Sequence, residues 1–319
     1  MSTDRIRPLL VALRPLGLGD LVTGVPALRA LAAAFPQHEH VLACPAVLHP
    51  LAMATGAVDR VVETRPLVPL APELHGADVA VDLHGKGPAS HRVLLATHSR
   101  RLIAFANAEI PESTGMAEWR ADEHEVARWC RMLAEQGIPA DPGDLYIERP
   151  NGLVAPEAVG ATIVHPGAAS PARRWPPERF ARVAQAELRQ GRAVLYTGTA
   201  AERPLAEAVA RQAGGGSVLA GQTDVAGLAT LVAAADRVVC GDTGVAHLAT
   251  ALQTPSVVIF GPTSPAHWGA PAGDPRHRVL WTGRRGDPHG LHPDPGMLSI
   301  QAENVLAELA VLDEERAAA

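Results

Sequence analysis

The chain holds a single lysine, Lys86, among its 319 residues, and arginine supplies the rest of its positive charge. Such a bias reads as genomic base composition, and the one surviving lysine as either chance or a specific role. Cysteine is almost as scarce. Cys44, Cys130 and Cys240 are odd in number and far apart, which excludes a cysteine-rich zinc motif and suits a reducing cytoplasm. No apolar run approaches the ~18 residues that a membrane span requires. The opening residues, MSTDRIRPLL, lack a secretory signal pattern. The expectation is a cytoplasmic protein with no membrane span and at most peripheral membrane contact. A formal net charge of −6 argues against nucleic acid as the main partner. Two nucleotide-binding signatures are missing as well. Residues 17–22 fail the dinucleotide fingerprint G-x-G-x-x-G because Val22 stands where the third glycine belongs, and nothing matches the GxxxxGK[ST] phosphate loop.

What is present is enough apolar material, 47% against 19% charged residues, to fill real cores in a chain long enough for two domains. Strand-like runs recur at 9–13, 41–43, 61–62, 78–83 and 102–105. Helical spacing falls between them at 21–35, 48–55 and 89–97, and follows them at 123–136. Prolines and glycines then thicken over 138–160, the best linker candidate. The pattern restarts with strands at 162–164, 193–196, 218–219, 237–240, 256–260 and 279–281. Helices are expected at 176–190, 201–212, 224–235, 245–252 and 300–312, with 283–296 as loop. Alternation on both sides of a linker means an α/β protein of two Rossmann-like, parallel-sheet domains. We expect them at 1–155 and 156–319, with the last helix free to pack back on the first domain. Ligands in such sheets sit at the carboxyl ends of strands. The loops at 14–20, 84–87, 165–175, 197–202 and 241–247 all follow strands, and a cleft between two domains would collect them.

The most informative stretch is 236–263, DRVVCGDTGVAHLATALQTPSVVIFGPT. Small residues open its helix, so a ligand can approach the first backbone N–H groups, which bind anions together with the positive end of the helix dipole. Asp242, Thr243 and Gly244 form the turn, Thr243 adds a hydroxyl donor, and His247 follows on the same helix face. This reads as a seat for a diphosphate, although Asp242 or Thr243 also reads as a plain N-cap. Arg173 precedes Arg174-Trp175-Pro176, and its planar fork suits paired phosphate oxygens; a surface arginine pair is the alternative. Glu202, after the Thr197-Gly198-Thr199 turn, reads either as an acceptor for ribose hydroxyls or as a solvated first-turn acid. Gly17 and Gly19 let the backbone come close to a ligand, and Asp20 then either points at it or caps the following helix. Asp287, His289, His292 and Asp294 cluster without a metal-ligand spacing; no metal site and no cofactor are expected.

Together these segments resemble glycosyltransferase family nine, which includes the ADP-heptose:lipopolysaccharide heptosyltransferases. The likeness runs through RPLGLGDLVTGVPALRAL, HPGA…RRWP, TGTAAE, CGDTGVAHLATAL and FGPTSPAHW, in order and over nearly the whole chain. It implies a GT-B architecture of two Rossmann-like domains facing a cleft, and an inverting, metal-independent transfer of a sugar, heptose above all. The donor implied is a nucleotide-diphosphate sugar (ADP- or GDP-heptose or hexose) and the acceptor a hydroxyl of a glycan or small-molecule core. Carried over by residue, Asp20 matches the general base. Arg173, Glu202, Asp242, Thr243, Gly244 and His247 match donor-binding positions, with Ala168, Ser170, Gly198 and Thr199 in the donor loops. Lys86 and Gly19 fall on the acceptor side. Two departures touch the donor: alanines at 168 and 169 stand where phosphate-touching threonines occur, and Arg173 replaces a lysine. The rival readings are an NAD-dependent oxidoreductase, a related sugar-nucleotide epimerase and a non-catalytic nucleotide-sugar-binding protein.

Overall fold

A computed structural model describes residues 7–149 and 155–318. Residues 150–154 of the expected linker and the first six residues lie outside the described residues. The chain divides into two units, Met1–Leu145 and Tyr146–Ala319. Ile147 already belongs with the second, its N–H donating to the Ala251 carbonyl at 2.9 Å.

In the first unit the strands are β1 (Leu9–Leu13), β2 (Glu39–Cys44), β3 (Arg60–Glu63), β4 (Val79–Asp82) and β5 (Arg101–Ile103). They form one parallel sheet in the order β3-β2-β1-β4-β5. The central strands β1, β2 and β4 are buried almost end to end, as continuous apolar runs covered on both faces must be. Val11, Leu13, Val41, Ala43 and Ala80 pack with Leu74 and Leu94 into one core. The helix expected over 21–35 is in fact two, Leu18–Thr23 and Val25–Ala34, hinged at Gly24. A Cβ at Gly24 would lie 2.9 Å from Arg14 Nε, so only glycine lets the chain pass this side chain. The first loop is correspondingly shorter than expected, and Gly19 and Asp20 lie in the first turn of a helix.

The second unit holds β6 (Thr162–His165), β7 (Val194–Tyr196), β8 (Ser217–Val218), β9 (Arg237–Gly241), β10 (Ser256–Ile259) and β11 (His277–Leu280). They are all parallel, in the order β11-β10-β9-β6-β7-β8. Counted from β6, this is the doubly wound order 3-2-1-4-5-6. Loop 283–296 is corrected at its end, where Asp294 caps a short helix, Pro295–Ser299. The final helix is longer than its apolar pattern suggested, Ala302–Ala318, and buries Val305, Leu309 and Leu312 against Phe180, Ala184, Val257 and Ile259 of this same unit.

In each sheet the strand order reverses once, between β1 and β4 and between β6 and β9. The open crevice at the carboxyl ends of these pairs is where doubly wound sheets take ligands.

Candidate functional site

In the first unit the crevice is built by the segments after β1 and β4. Asp20 is half-buried, and its Oδ2 accepts the Gly17 N–H at 3.0 Å. The capping role is thus real, and it uses one carboxylate oxygen. Beneath it lies Arg14, 1% exposed. Its guanidinium donates from Nε to the Asp20 carbonyl and from Nη1 to the Leu83 carbonyl. From Nη2 it reaches Thr23 Oγ1 at 3.0 Å and Glu125 Oε1 at 3.3 Å. At the end of β4, Asp82 is fully buried and accepts the His84 N–H at 2.8 Å. Burial raises its pKa to about 6, against the hydrogen bonds it accepts. Burial also holds the His84 imidazole below its ordinary value, helped by the Arg14 charge and opposed by Asp20. Lys86 is exposed at the loop tip, where its carbonyl accepts from Asn107 Nδ2 at 3.0 Å.

In the second unit the segments after β6, β7 and β9 converge. Thr243 caps the helix Gly244–Ala251 with extended backbone (φ −152°), but its hydroxyl does not bond to that helix. The hydroxyl and the N–H groups of Gly244 and Val245 therefore form an open donor set, while the Ala246 N–H donates to the Thr243 carbonyl at 2.9 Å. Asp242 is buried; burial raises its pKa, while His247, Arg173 and a hydrogen bond from Thr263 oppose the shift. Arg173 Nη1 donates to the Asp242 carbonyl at 3.3 Å, and its Nε is buried with no protein acceptor. The RRWP segment divides its tasks. Trp175 is core, packed edge-on against Phe180, and Arg174 braces the loop by donating to the Ala168 carbonyl at 2.9 Å. That leaves Arg173 facing the β9 turn.

Ala168 is buried, and Ser170 spends its hydroxyl on the Ala172 N–H and the Gly290 carbonyl. Glu202 Oε2 accepts the Thr199 N–H at 2.8 Å and the Thr199 hydroxyl at 2.9 Å. Its Oε1 lies where a Cβ on Gly167 would be, 2.2 Å away, so a glycine there admits the carboxylate. Gly198 closes the turn by accepting the Gly221 N–H at 2.9 Å. His247 stands edge-on to Trp268, with centroids 5.8 Å apart. Asp287 and Asp294 accept backbone N–H groups, and no group of three or more His, Cys, Asp or Glu residues among the described residues is arranged to hold a metal.

The structure therefore gathers Arg173, Asp242, Thr243, Gly244 and His247 at the end of β9. It sets Glu202, Gly198 and Thr199 after β7, and Asp20, Gly19 and Lys86 on the first unit. Sequence reasoning overlooked Arg14, His84, Gly167 and Trp268. Arg14 and His84 stand at the ends of strands, the one positional signal available for them.

Comparison with known proteins bears on the fold and the family. The sequence model of glycosyltransferase family 9 (heptosyltransferase) matches residues 98–289. No curated protein matches the chain. The E. coli ADP-heptose lps heptosyltransferase II is 21% identical with a TM-score of 0.77, over 96% of this chain and 99% of that one. A glycosyl transferase family 9 protein from Veillonella parvula DSM 2008 is 19% identical with a TM-score of 0.80, over 98% and 100%. E. coli heptosyltransferase WaaC with ADP is 17% identical with a TM-score of 0.75, over 95% and 99%. At these identities the structural likeness speaks for the fold, GT-B, and the family match speaks for the chemistry. This protein belongs to glycosyltransferase family 9, the heptosyltransferase family, and transfers a glycosyl group from a nucleotide-sugar donor.

Proposed function

We propose that the protein is an inverting, metal-independent heptosyltransferase of the cytoplasm. Its donor is ADP-heptose, held by the second unit, and its acceptor is a hydroxyl of a glycan or small-molecule core, served by the first. The observation that carries this reading is the donor set at the end of β9: an uncommitted Thr243 hydroxyl, open N–H groups at the start of Gly244–Ala251, and an Arg173 whose Nε has no protein acceptor. These groups suit a pyrophosphate, and they suit it more as the glycosidic bond breaks and the leaving diphosphate gains charge. Cationic and N–H donors then do the work that a divalent ion does in metal-dependent transferases. Glu202 is the acceptor for ribose hydroxyls.

In the reaction Asp20 takes the proton of the acceptor hydroxyl. The acceptor oxygen bonds to the anomeric carbon as the bond to the β-phosphate oxygen breaks, and that electron pair leaves with the diphosphate. One displacement inverts the centre. General-base help of this kind contributes ~10²–10⁴ in rate. The test is an assay of nucleotide release from ADP-, GDP- and UDP-linked sugars, with and without acceptor and chelator, with the product anomer read by NMR. Acceptor-dependent ADP release, insensitive to EDTA and giving the inverted anomer, is expected. Preference for a GDP sugar, loss of activity in EDTA, or retention of configuration would each overturn the corresponding part. Donor binding with neither transfer nor hydrolysis would reduce the protein to a nucleotide-sugar binder.

A further inference from the structure

We infer that Arg14 is a positioning residue for transfer: one buried guanidinium fixes the Asp20 segment and the acceptor-side loop after β4 relative to each other. The inference rests on the reading of Asp20 as the base.

A guanidinium presents five N–H donors in one rigid plane. At Arg14 that plane spans two loops far apart in sequence. Nε is bonded to the carbonyl of Asp20 itself, and Nη1 to the carbonyl of Leu83, the residue before His84. Nη2 is bonded to Thr23, whose hydroxyl donates in turn to the same Asp20 carbonyl at 3.0 Å. The backbone of Asp20 is therefore held from two sides. The fork is itself held in place. Its backbone N–H donates to the Ala43 carbonyl at 3.0 Å, and the guanidinium lies 5.0 Å from the Trp129 ring centroid. Its counter-charge, Glu125, is 5% exposed and accepts from Trp129 Nε1 at 2.7 Å and from Arg128. The tie thus runs from the helix Glu125–Ala134 through Glu125 and Arg14 to Asp20.

Stability alone gives a poor reason for this arrangement. A buried ion pair is weak evidence of stability, because apolar residues of similar volume do as well or better. What apolar residues cannot do is hold two backbone carbonyls at a set spacing. Lysine can bind carbonyls through its ammonium, but its three donors radiate from one nitrogen and cannot stand at the Nε, Nη1 and Nη2 positions from which Arg14 reaches Asp20, Leu83 and Thr23. The tolerance that matters is small: a 1 Å misplacement of a reacting group costs about 10²-fold in rate.

The test is Arg14→Lys, assayed beside Asp20→Asn in the full chain. Arg14→Lys keeps the charge and loses the fork. We expect kcat to fall about 100-fold, with acceptor KM little changed and with ADP binding at full stoichiometry and unaltered Kd. A merely structural defect would instead show in the first unit itself, as faster hydrogen exchange of the β1 and β4 core amides together with the loss of turnover. Should Arg14→Lys fail to fold, Arg14→Met combined with Glu125→Gln removes the charge and its partner together, and the same kcat loss is expected. If Asp20→Asn is impaired while folded Arg14→Lys turns over normally, the positioning role is wrong and the base stands. If Asp20→Asn itself turns over normally, the base reading fails and takes this inference with it.

Discussion

Two carboxylates of the candidate site serve twice. Asp20 gives Oδ2 to the Gly17 N–H, and Glu202 gives Oε2 to Thr199, so each stabilises the turn that carries it. This double use makes conservative substitution informative. In Asp20→Asn the amide oxygen still accepts the Gly17 N–H, but nothing is left to take a proton. Turnover should fall ~10²–10⁴-fold while ADP binding, measured by titration calorimetry, stays as in the wild type. Undiminished turnover would require another base. Arg173 is different, because its buried Nε has no protein acceptor to lose. In Arg173→Ala the donor loses charged hydrogen bonds worth about 1.5–3 kcal/mol each, so ADP affinity should drop at least tenfold, roughly 1.4 kcal/mol. An unchanged Kd would remove Arg173 from the donor site. At this scale the sequence was legible where neighbours in space are neighbours in the chain, as in Asp242-Thr243-Gly244 with His247. Arg14 was not legible, because its decisive partners, Leu83 and Glu125, lie 69 and 111 residues away.

Elements were easier to read than their ends. The central strands are apolar on both faces and bounded by glycine, proline or charge, so they were visible in composition, whereas the edge strands β3, β8 and β11 are short, partly polar and partly exposed. The break at Gly24 was hidden because Leu21, Val25 and Leu28 continue one apolar stripe across it; the interruption comes from the Arg14 side chain beneath. The helix Pro295–Ser299 read as loop, yet Asp294 followed by proline is an N-cap and a first-turn residue. The final helix extends beyond its apolar pattern because charge takes over from burial. Arg237, the first residue of β9, is 2% exposed and pairs with Asp313, while Glu187 lies 3.9 Å away. Asp313→Ala leaves Arg237 with that distant carboxylate, and should destabilise the second unit by about 1–3 kcal/mol in urea unfolding; no change would mean that Glu187 suffices. His277, at the start of β11, contributes a pH dependence. Burial lowers its pKa from 6.5 to about 4. The unfolded chain therefore takes up a proton that the folded ring refuses, and stability is lost as pH falls through that window. His277→Asn should remove on the order of 3 kcal/mol of this acid-side loss, seen as a shallower fall of the urea midpoint between the two pKa values. Parallel falls in wild type and variant would show that the ring titrates normally.

At the scale of the whole molecule the chemistry is divided between two sheets, each with its own core and its own point of strand-order reversal. The family was legible at this scale because five short motifs fall in a fixed order, after β1, β6, β7, β9 and β10, and their order carries more than any one of them. The proposed donor groups, Arg173, Thr243, Gly244 and Glu202, all belong to the second unit, so on that proposal the nucleotide's binding energy is delivered to that unit. A ligand at a hundred times its Kd stabilises the state that binds it by about 2.7 kcal/mol, a factor of about 100 in an opening equilibrium. Saturating ADP should therefore slow hydrogen exchange most in β6, β9 and the start of Gly244–Ala251, for amides that exchange through opening of that unit. The core amides of β1 and β4 should exchange at their unliganded rates. Equal slowing in both sheets would mean that the two units open as one. Slowing confined to β1 and β4 would move the nucleotide to the first unit and leave the donor set after β9 without a ligand.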